Sequence, residues 1–469
     1  MFNLKKFKNN IALIQYDKIY FYKDIIKKLE ILKKKIKNLE NNSVLLITNN
    51  TAEFIFFYIY LINSKAKIIL LDEQINQGYF DKILHKFNPN LVIKSKNFSK
   101  IKLKKKSKKE IFNFEIYQNN LSKLKGINKE IAMLLSTSGT SGSSKFVILS
   151  LKNLKHNTFD IIKYLRLSQK DRTITTLPFS YSYGLSVLNS HLCSGSSIIL
   201  TNKTVVEKSF WDTLFSNKVN CFYGVPFLFK ILEKFLDKKY FAKFKFLANA
   251  GGKLDIEVSK AFVKKSLKEK FTFYNMYGQT EASPRMSYIN LSKFKKYESI
   301  GKPIGSGKFH IQLTDRKYIK KEKHIGELIY KGKNVMLGYA NNNYDLKIKR
   351  KNKFKLYTGD LAYFDKNGYY YVVGRKSRFL KINGIRYDLD QIEKVLKKKR
   401  KNILCTGNDN LLKVFIVSKN QRNKFDLYKK EISRKIGLNI ANISMHYIKF
   451  TPINKNGKVD YMLLNKSSN

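Results

Sequence analysis

The chain has 469 residues, and its 92 lysine and arginine residues against 35 acidic residues give a formal net charge of +57. A hydrophobic core rarely grows beyond about 250–300 residues, so this length excludes a single ordinary domain. The charge suggests nucleic-acid binding, but lysine is spread over the whole sequence instead of one segment. A bias in composition therefore explains the charge better than a specific nucleic-acid site does.

Cysteine spacing and hydropathy indicate the cellular compartment of the protein. Cys193, Cys221 and Cys405 lie far apart, with neither metal-ligand nor redox spacing, which predicts free core thiols in a reducing compartment. The basic N-terminus lacks the apolar segment of a signal peptide. The longest apolar run, 54–62, is shorter than the about twenty residues that span a membrane. We expect a cytoplasmic protein with no transmembrane segment.

Apolar runs and helical patterns alternate along the first two thirds of the chain, as in parallel sheets joined by crossover helices. The pattern predicts strands at 44–48, 67–72, 90–94, 173–177, 196–201, 220–224, 244–249 and 271–276, and helices at 51–63, 77–87, 227–236 and 257–267. The lysine-rich run at 94–110 predicts a solvated surface segment.

The pattern changes after about residue 330. Segments become short and hairpin-like, with a strong turn at Asp365–Gly368, and the last part, 377–469, has the order β-α-β-β-α-β. Together the patterns predict an α/β fold with a large multi-subdomain N-terminal domain of doubly wound sheets and a small α+β C-terminal domain.

A glycine- and hydroxyl-rich loop at 136–145 reads STSGTSGSSK. Glycines let the backbone approach a ligand, and hydroxyl and N–H groups are donors, so the loop is able to wrap a polyphosphate. The loop does not follow the Walker pattern, and on composition alone a flexible loop is the alternative.

Four further segments follow it in order. They are 274–281 (YNMYGQTE), 356–360 (LYTGD), the stretch from 373 (VGR) through 381–384 (KING) to Glu393, and 456–458 (NGK). Over nearly the whole chain, these motifs resemble the adenylate-forming superfamily of acyl-CoA synthetases, luciferases and carrier-loading adenylation domains. The resemblance implies an AMP-binding N-terminal domain, 1–375, and a mobile C-terminal domain, 376–469.

The resemblance also implies a reaction. ATP, with Mg²⁺, activates a carboxylic acid as an acyl-adenylate with release of pyrophosphate, and the acyl group passes to the thiol of coenzyme A. One alternative is an adenylation enzyme that loads an acid onto the phosphopantetheine of a separate, acidic carrier protein. An alternative of another class is a nucleic-acid-binding protein on a degenerate enzyme fold, which the charge alone motivates.

Nucleotide-binding residues are carried over from the motifs of the superfamily. Asp360 offers two acceptor oxygens to the ribose diol, and Arg375 resembles a second ribose or phosphate contact. The residues that resemble the phosphate loop are Thr137, Ser138, Gly139, Thr140, Ser141, Gly142 and Lys145, and those that resemble the adenine site are Gly251, Gly252, Tyr277 and Gly278.

Catalytic residues follow from the same resemblance. Thr280 and Glu281 correspond to the α-phosphate contact and the magnesium ligand. Lys458 on a late loop would bridge the substrate carboxylate and the α-phosphate as charge develops. Lys381 belongs to the face of the C-terminal domain used for thioester formation, and Ser377 stands at the hinge position where aspartate or lysine is usual.

The acyl pocket is predicted in the motif 177–184, LPFSYSYG. Tyr181, where many relatives have histidine, and Gly184 would line it. The motif lacks the acid that holds the ammonium group in amino-acid-activating relatives. Because burying an unpaired ammonium is costly, we predict a carboxylic acid without a free α-ammonium group as substrate.

Overall fold

The computed structural model describes residues 1–103, 108–118, 126–136, 145–235, 238–313, 318–319, 322–347, 354–376, 378–382, 385–397, 403–408, 410–417, 425–454 and 457–466. The chain forms two compact units. The first comprises 1–139, 143–308 and 331–356, and the second comprises 140–142, 309–330 and 357–469.

The strands, in chain order, are β1 (Ile11–Gln15), β2 (Lys18–Phe21), β3 (Ser43–Thr48), β4 (Lys67–Asp72), β5 (Leu91–Ser95), β6 (Lys108–Ile111), β7 (Phe114–Gln118), β8 (Ile131–Ser136), β9 (Phe146–Ser150), β10 (Arg172–Ile174), β11 (Ser197–Leu200), β12 (Cys221–Gly224), β13 (Phe246–Asn249), β14 (Thr272–Gly278), β15 (Arg285–Asn290), β16 (Lys302–Pro303), β17 (Lys308–Gln312), β18 (Tyr318–Ile319), β19 (Gly326–Lys331), β20 (Gly338–Ala340), β21 (Lys355–Phe364), β22 (Tyr370–Arg375), β23 (Phe379–Ile382), β24 (Ile385–Asp388), β25 (Ile403–Asn408), β26 (Leu411–Val417) and β27 (Ile443–Ile448).

The helices are α1 (Tyr22–Lys35), α2 (Ala52–Asn63), α3 (Gln77–Phe87), α4 (Leu151–Leu165), α5 (Ser182–Ser194), α6 (Lys208–Ser216), α7 (Pro226–Phe235), α8 (Ile256–Glu269), α9 (Leu291–Phe294), α10 (Leu389–Lys397), α11 (Phe425–Ile436) and α12 (Tyr461–Lys466). Among the described residues, none of these helices is long and apolar enough to cross a membrane.

Two large mixed sheets form the first unit. The nine-stranded sheet has the order β16-β15-β14-β13-β12-β10-β11-β1-β2, with parallel strands from β14 to β1 and antiparallel strands at both edges. The eight-stranded sheet has the order β20-β9-β8-β4-β3-β5-β7-β6, and its strands from β8 to β5 are parallel. Parallel strands of this kind are buried on both faces, which explains their continuous apolar runs.

Helix α2 shows how the local sequence determines burial. The Thr51 hydroxyl accepts a hydrogen bond from the Phe54 N–H at 3.3 Å and caps the N-terminus of the helix. Every residue of the apolar run 54–62 is buried. A helix that is apolar on all sides is a core helix when it is too short to span a bilayer.

The second unit contains three smaller sheets. They are a five-stranded sheet of order β18-β17-β19-β21-β22, a β23-β24 hairpin, and a three-stranded sheet of order β25-β26-β27. Side chains from the hairpin, from α10 and α11, and from the three-stranded sheet share one apolar core, which includes Leu380, Ile392, Val414 and Ile432. This arrangement is a small α+β fold.

The predicted fold class is confirmed, and the details differ in the C-terminal segment and in the 94–110 run. The C-terminal segment begins with two strands instead of one and ends with α12. Strands β23 and β24 have four residues each, which is too short for a clear period of two. The solvated reading of 94–110 is wrong for Lys94, which is buried in β5 and pairs with Glu115 at 2.8 Å. The boundary between 375 and 376 stays a prediction.

Candidate active site

The turn after β14 carries two of the predicted catalytic residues. A short 3-10 helix, Thr280–Ala282, lies between β14 and β15. A Cβ atom on Gly278 would lie 1.8 Å from the Pro284 carbonyl oxygen, so only glycine fits where the turn closes. The Gln279 N–H donates to the same oxygen at 3.0 Å. The turn stands at the carboxyl end of a parallel strand, where open α/β sheets bind ligands.

The predicted acyl-pocket motif meets this turn. The hydroxyl oxygens of Ser182 and Thr280 lie 3.0 Å apart, and both residues are buried. Ser182 is the first residue of α5, and a Cβ atom on Gly184 would lie 2.3 Å from the Pro178 carbonyl oxygen. The chain before α5 therefore packs directly on the first turn of that helix. This contact joins the predicted α-phosphate residue to the predicted acyl pocket.

Tyr181 and the glycine pair after β13 are also neighbours. A Cβ atom on Gly251, which has φ +88°, would lie 2.7 Å from the Tyr181 hydroxyl oxygen. A Cβ atom on Gly252 would lie 3.2 Å from Cγ of Pro226. Burial raises the pKa of Tyr181 to about 12, so the phenol is neutral. The predicted adenine and acyl sites thus approach each other at this tyrosine.

One acid contacts the acyl-pocket motif. The Ser180 hydroxyl donates to Oδ2 of Asp72, at the carboxyl end of β4, with a distance of 2.6 Å. The motif itself holds no acid, as predicted, but the fold brings this one from more than a hundred residues away. The contact between Asp72 and Ser180 is not predictable from the sequence, because no local pattern relates β4 to the acyl-pocket motif.

Glu281 and Lys145 both contact Tyr339, a residue that the sequence analysis did not assign to the site. The Tyr339 hydroxyl donates to Oε1 of Glu281 at 3.0 Å. The Lys145 ammonium lies 3.4 Å from the centroid of the Tyr339 ring, as a cation–π contact. The predicted phosphate-binding cation and the predicted magnesium ligand therefore share one aromatic side chain.

The segment before Tyr339 is held to the turn after β14 by side-chain amides. Asn153, in the first turn of α4, donates to the carbonyl oxygens of Lys333 and Val335 at 2.7 and 2.8 Å. Asn334 donates to the carbonyl oxygen of Ala282 at 2.6 Å. Because both amides are buried, these bonds are costly to break, and they keep β20 beside the turn.

In the second unit, Asp360 and Arg375 form an ion pair. They stand opposite each other in the β21-β22 ladder, and Nε of Arg375 donates to Oδ1 of Asp360 at 2.9 Å. The Asp360 side chain is 3% exposed and the Arg375 side chain is 54% exposed. The Asp360 N–H also donates to the Thr358 hydroxyl at 3.1 Å. The two predicted ribose residues are thus adjacent and ordered.

Lys458 lies on a closed turn. The Asn454 N–H donates to the Lys458 carbonyl oxygen at 2.7 Å, and the Lys458 N–H donates to Oδ1 of Asn454 at 3.0 Å. Ile453 and Val459 pair as an isolated antiparallel bridge around this turn. The backbone that carries the predicted catalytic ammonium is therefore fixed locally.

A partly buried cluster of charged and aromatic side chains anchors the helix that follows this turn. The Tyr461 ring lies 3.8 Å from the guanidinium carbon of Arg378, and its hydroxyl donates to Glu393. Arg378 pairs with Glu393 at 2.8 Å and also with Asp390. Glu393, the last residue of the third motif, thus binds both Arg378 and Tyr461.

Some predicted residues fall outside the described part of the chain, namely Thr137, Ser138, Gly139, Thr140, Ser141, Gly142, Ser377 and Gly384. Lys381 lies in β23 opposite Arg386 of β24. Tyr277 lies in β14 opposite Ser287 of β15. The described residues contain no cluster of three or more His, Cys, Asp or Glu side chains that could hold a metal ion.

The chain was compared with known proteins. A family model described as AMP-binding enzyme matches residues 32–340, which is more than half of the chain. The chain belongs to the AMP-binding enzyme family. The match contains Lys145, Thr280, Glu281 and Tyr339, so the predicted superfamily is confirmed.

Relatives within the family differ in their acceptors. The oxalate–CoA ligase of Saccharomyces cerevisiae is 29% identical over 262 residues, which are 55% of this chain and 47% of that protein. The D-alanine–D-alanyl carrier protein ligase of Staphylococcus aureus is 25% identical over 276 residues, 56% of this chain and 53% of that protein. The chain spans about half the length of the curated relatives it matches.

The fold has a close counterpart among solved structures. The O-succinylbenzoate coenzyme A synthetase of Bacillus subtilis, solved with ATP and magnesium ion, aligns over 98% of both chains with a TM-score of 0.75. The identity is 18%, so this likeness establishes the fold alone.

Proposed function

We propose that this protein is an ATP-dependent acid–thiol ligase. It activates a carboxylic acid as an acyl-adenylate, with release of pyrophosphate, and then transfers the acyl group to the thiol of coenzyme A. The observation that carries the proposal is the contact of Lys145 and Glu281 with Tyr339, next to the Thr280–Ser182 pair, inside the region that the family model covers.

Charge is the main obstacle to this reaction. A carboxylate must approach the α-phosphate of ATP, and both are negative, so catalysis requires fixed positive charge and donors at the reacting oxygens. Lys145 supplies a cation for the phosphates, and Thr280 supplies a hydroxyl that Ser182 orients. Lys458 supplies a second ammonium for the oxygens that gain charge in the transition state.

Magnesium fits the donors that the chain presents. Mg²⁺ is usually held by one or two carboxylates together with phosphate oxygens and water, so a protein cage is not required. Glu281 would hold it, with Tyr339 fixing the orientation of the carboxylate. When bound, the ion would neutralise charge on the phosphate oxygens. Asp360 would accept hydrogen bonds from the ribose hydroxyls, oriented by Arg375.

Pyrophosphate release from ATP tests the proposal. Purified protein is given a panel of aliphatic, aromatic and hydroxy carboxylic acids, with and without coenzyme A. At least one acid should release pyrophosphate, and the twenty standard amino acids should not. Absence of release with every acid would overturn the proposal. Release with an amino acid would show that an acid such as Asp72 pairs with the ammonium group.

A carrier protein is a second candidate acceptor. The net charge of +57 favours association with an acidic partner by electrostatic steering. A relative that acts on D-alanine and a carrier protein shares about a quarter of its aligned residues with this chain. Comparison of coenzyme A with free and carrier-bound phosphopantetheine, at a matched thiol concentration, separates the two candidates by acyl transfer rate.

A further inference from the structure

Arg285 is a buried cation beside the predicted acyl pocket. It is the first residue of β15, it follows the catalytic turn, and it is 2% exposed. Among the described residues, no carboxylate forms an ion pair with it. Burying an unpaired charge is costly, so natural proteins seldom retain one without a partner or a task.

One side of the guanidinium group is anchored. Nη1 donates to the Tyr164 hydroxyl and to the Met276 sulfur, each at 2.8 Å. The guanidinium carbon lies 4.5 Å from the centroid of the Tyr183 ring and 5.7 Å from that of Tyr223. These rings offset part of the desolvation cost by cation–π attraction. They carry no negative charge, because burial raises the pKa of both phenols.

The other side has no partner in the described part of the chain. Nε and Nη2 of Arg285 are both buried, and neither forms a hydrogen bond. In a planar guanidinium group, the N–H bonds of Nε and Nη2 lie parallel along one edge. This edge is the fork that binds both oxygens of a carboxylate. The unsatisfied atoms are therefore a matched pair and not two unrelated defects.

The guanidinium group contacts the motif that is predicted to hold the acid. Its carbon lies 4.5 Å from the centroid of the Tyr183 ring, and Tyr183 belongs to the same motif as Tyr181 and Gly184. Across the sheet, Arg285 pairs with Gly278, two residues before Thr280. An acid whose reacting carboxylate lies at Thr280 would place its far end in this region.

We propose that Arg285 binds a second carboxylate of the substrate through Nε and Nη2, and that the protein activates dicarboxylic acids. This inference rests on the proposed function. Because the fork is shielded from solvent, the acid displaces a flanking side chain when it binds. The same buried cation repels an ammonium group, which adds a second reason for excluding amino acids.

Matched substrate pairs test the proposal with the native protein. Each dicarboxylic acid is compared with its monoamide, which has nearly the same shape but no second charge; succinate, glutarate, adipate and phthalate form the series. A charge-assisted bidentate pair predicts about a 10- to 100-fold higher kcat/KM for the best diacid in pyrophosphate release. Equal or faster activation of the monoamides would overturn the inference and leave the proposed function intact. If no acid releases pyrophosphate, both are overturned.

Variants assign the preference to the side chain. Arg285→Met should remove most of the preference for the diacid, measured as the ratio of kcat/KM for the diacid to kcat/KM for its monoamide. Arg285→Lys keeps the charge but loses the paired N–H donors, so it should retain only part of the preference for the diacid. Arg166→Gln, which removes an exposed arginine from the same unit, is the matched control for loss of net charge. A preference that survives in folded Arg285→Met would contradict the proposal.

Discussion

At the scale of single residues, one neutral phenol connects two opposite charges. Burial and the neighbouring Glu281 carboxylate raise the pKa of Tyr339 well above its usual value, so the hydroxyl stays a donor. The ring face attracts the Lys145 ammonium, while the hydroxyl fixes the carboxylate. Tyr339 therefore contacts the cation proposed for the phosphates and the carboxylate proposed for magnesium without neutralising either of them.

Tyr339→Phe separates these two roles. The ring under Lys145 remains, but Glu281 loses a hydrogen bond, which is worth about 1.5–3 kcal/mol when one partner is charged. We expect the magnesium concentration for half-maximal pyrophosphate release to rise about tenfold or more, with little change in the KM for ATP. A magnesium titration with the preferred acid measures this.

The matched control is Tyr344→Phe, at a tyrosine that is 71% exposed. It should leave the magnesium titration unchanged. If the magnesium titrations of Tyr339→Phe and the wild type are identical, Tyr339 does not orient Glu281 for magnesium binding.

The buried His191 should make the stability of the first unit sensitive to acid. Burial lowers its pKa to about 3, and Nε2 lies 3.1 Å from the Tyr223 hydroxyl. Below pH about 6.5 the unfolded chain takes up a proton at this residue and the folded chain does not. The unfolded state then binds more protons, so stability falls as the pH drops.

His191→Gln should remove the contribution of this histidine to the pH dependence of folding stability. Between pH 7 and pH 5 the wild type should lose about 2 kcal/mol more stability than the variant does, a difference seen as a narrowing gap between their melting temperatures. His85→Gln, at an exposed position on α3, is the control. Parallel melting curves for wild type and His191→Gln across this range would show that the imidazole is not held neutral.

Sequence motifs predict candidate ligand-binding residues but not the side chains that contact and orient them. Glu281 was recognisable because it follows a strand end in a fixed pattern, whereas Tyr339 lies 58 residues later. Arg285 follows the same motif, yet its burial depends on side chains from α4, α5 and β14. A contact between segments that are distant in sequence produces no local hydrophobic pattern, so it is visible only in the folded structure.

At the scale of elements, strand pairing explains how a lysine can be buried. Lys94 on β5 stands opposite Glu115 on β7, and their charged atoms lie 2.8 Å apart. The Lys94 ammonium also donates to the Phe98 carbonyl oxygen, and Tyr117 donates to Glu115. The alternation of polar and apolar residues in β5 cannot predict the burial of Lys94, because its partner Glu115 comes from another strand. Longer periodic elements such as α2 and α3 were predictable from their own residues.

Glu115→Gln should destabilise the first unit strongly. It leaves the Lys94 charge buried without a counter-charge, a loss of about 3–5 kcal/mol. The exposed pair Lys96–Glu110, at 3.2 Å, offers the control on the neighbouring strand, and Glu110→Gln should cost less than about 1 kcal/mol. Urea denaturation measures both variants. Similar small losses for the two would mean that Lys94 reaches solvent.

At the scale of the whole molecule, the net charge of +57 calls for an explanation. The ligands of the proposed reaction, namely ATP, an acid and coenzyme A or an acidic carrier protein, are all negatively charged, and a positive field raises the rate of encounter with each of them. The positive charge therefore does not require a nucleic-acid site. The enzyme motifs also disfavour the alternative of a nucleic-acid-binding protein on a degenerate fold.

Binding to duplex DNA should therefore be weak and independent of sequence. Counterion release alone predicts a steep loss of affinity between about 50 and 200 mM salt. Fluorescence anisotropy with AT-rich, GC-rich and scrambled duplexes measures this. A preferred sequence that remains bound at about 0.2 M salt would revive the alternative.

Lys458→Ala tests most directly whether the proposed two-step reaction begins with formation of the acyl-adenylate assisted by Lys458. The two half-reactions are measured separately: ATP–pyrophosphate exchange with the preferred acid, and thioester formation from a supplied acyl-adenylate. We expect Lys458→Ala to lower the exchange rate about 10²- to 10³-fold, as for other single charge contacts in a transition state, and to leave thioester formation largely intact. Exchange at the wild-type rate, or an equal loss of both half-reactions, would contradict it.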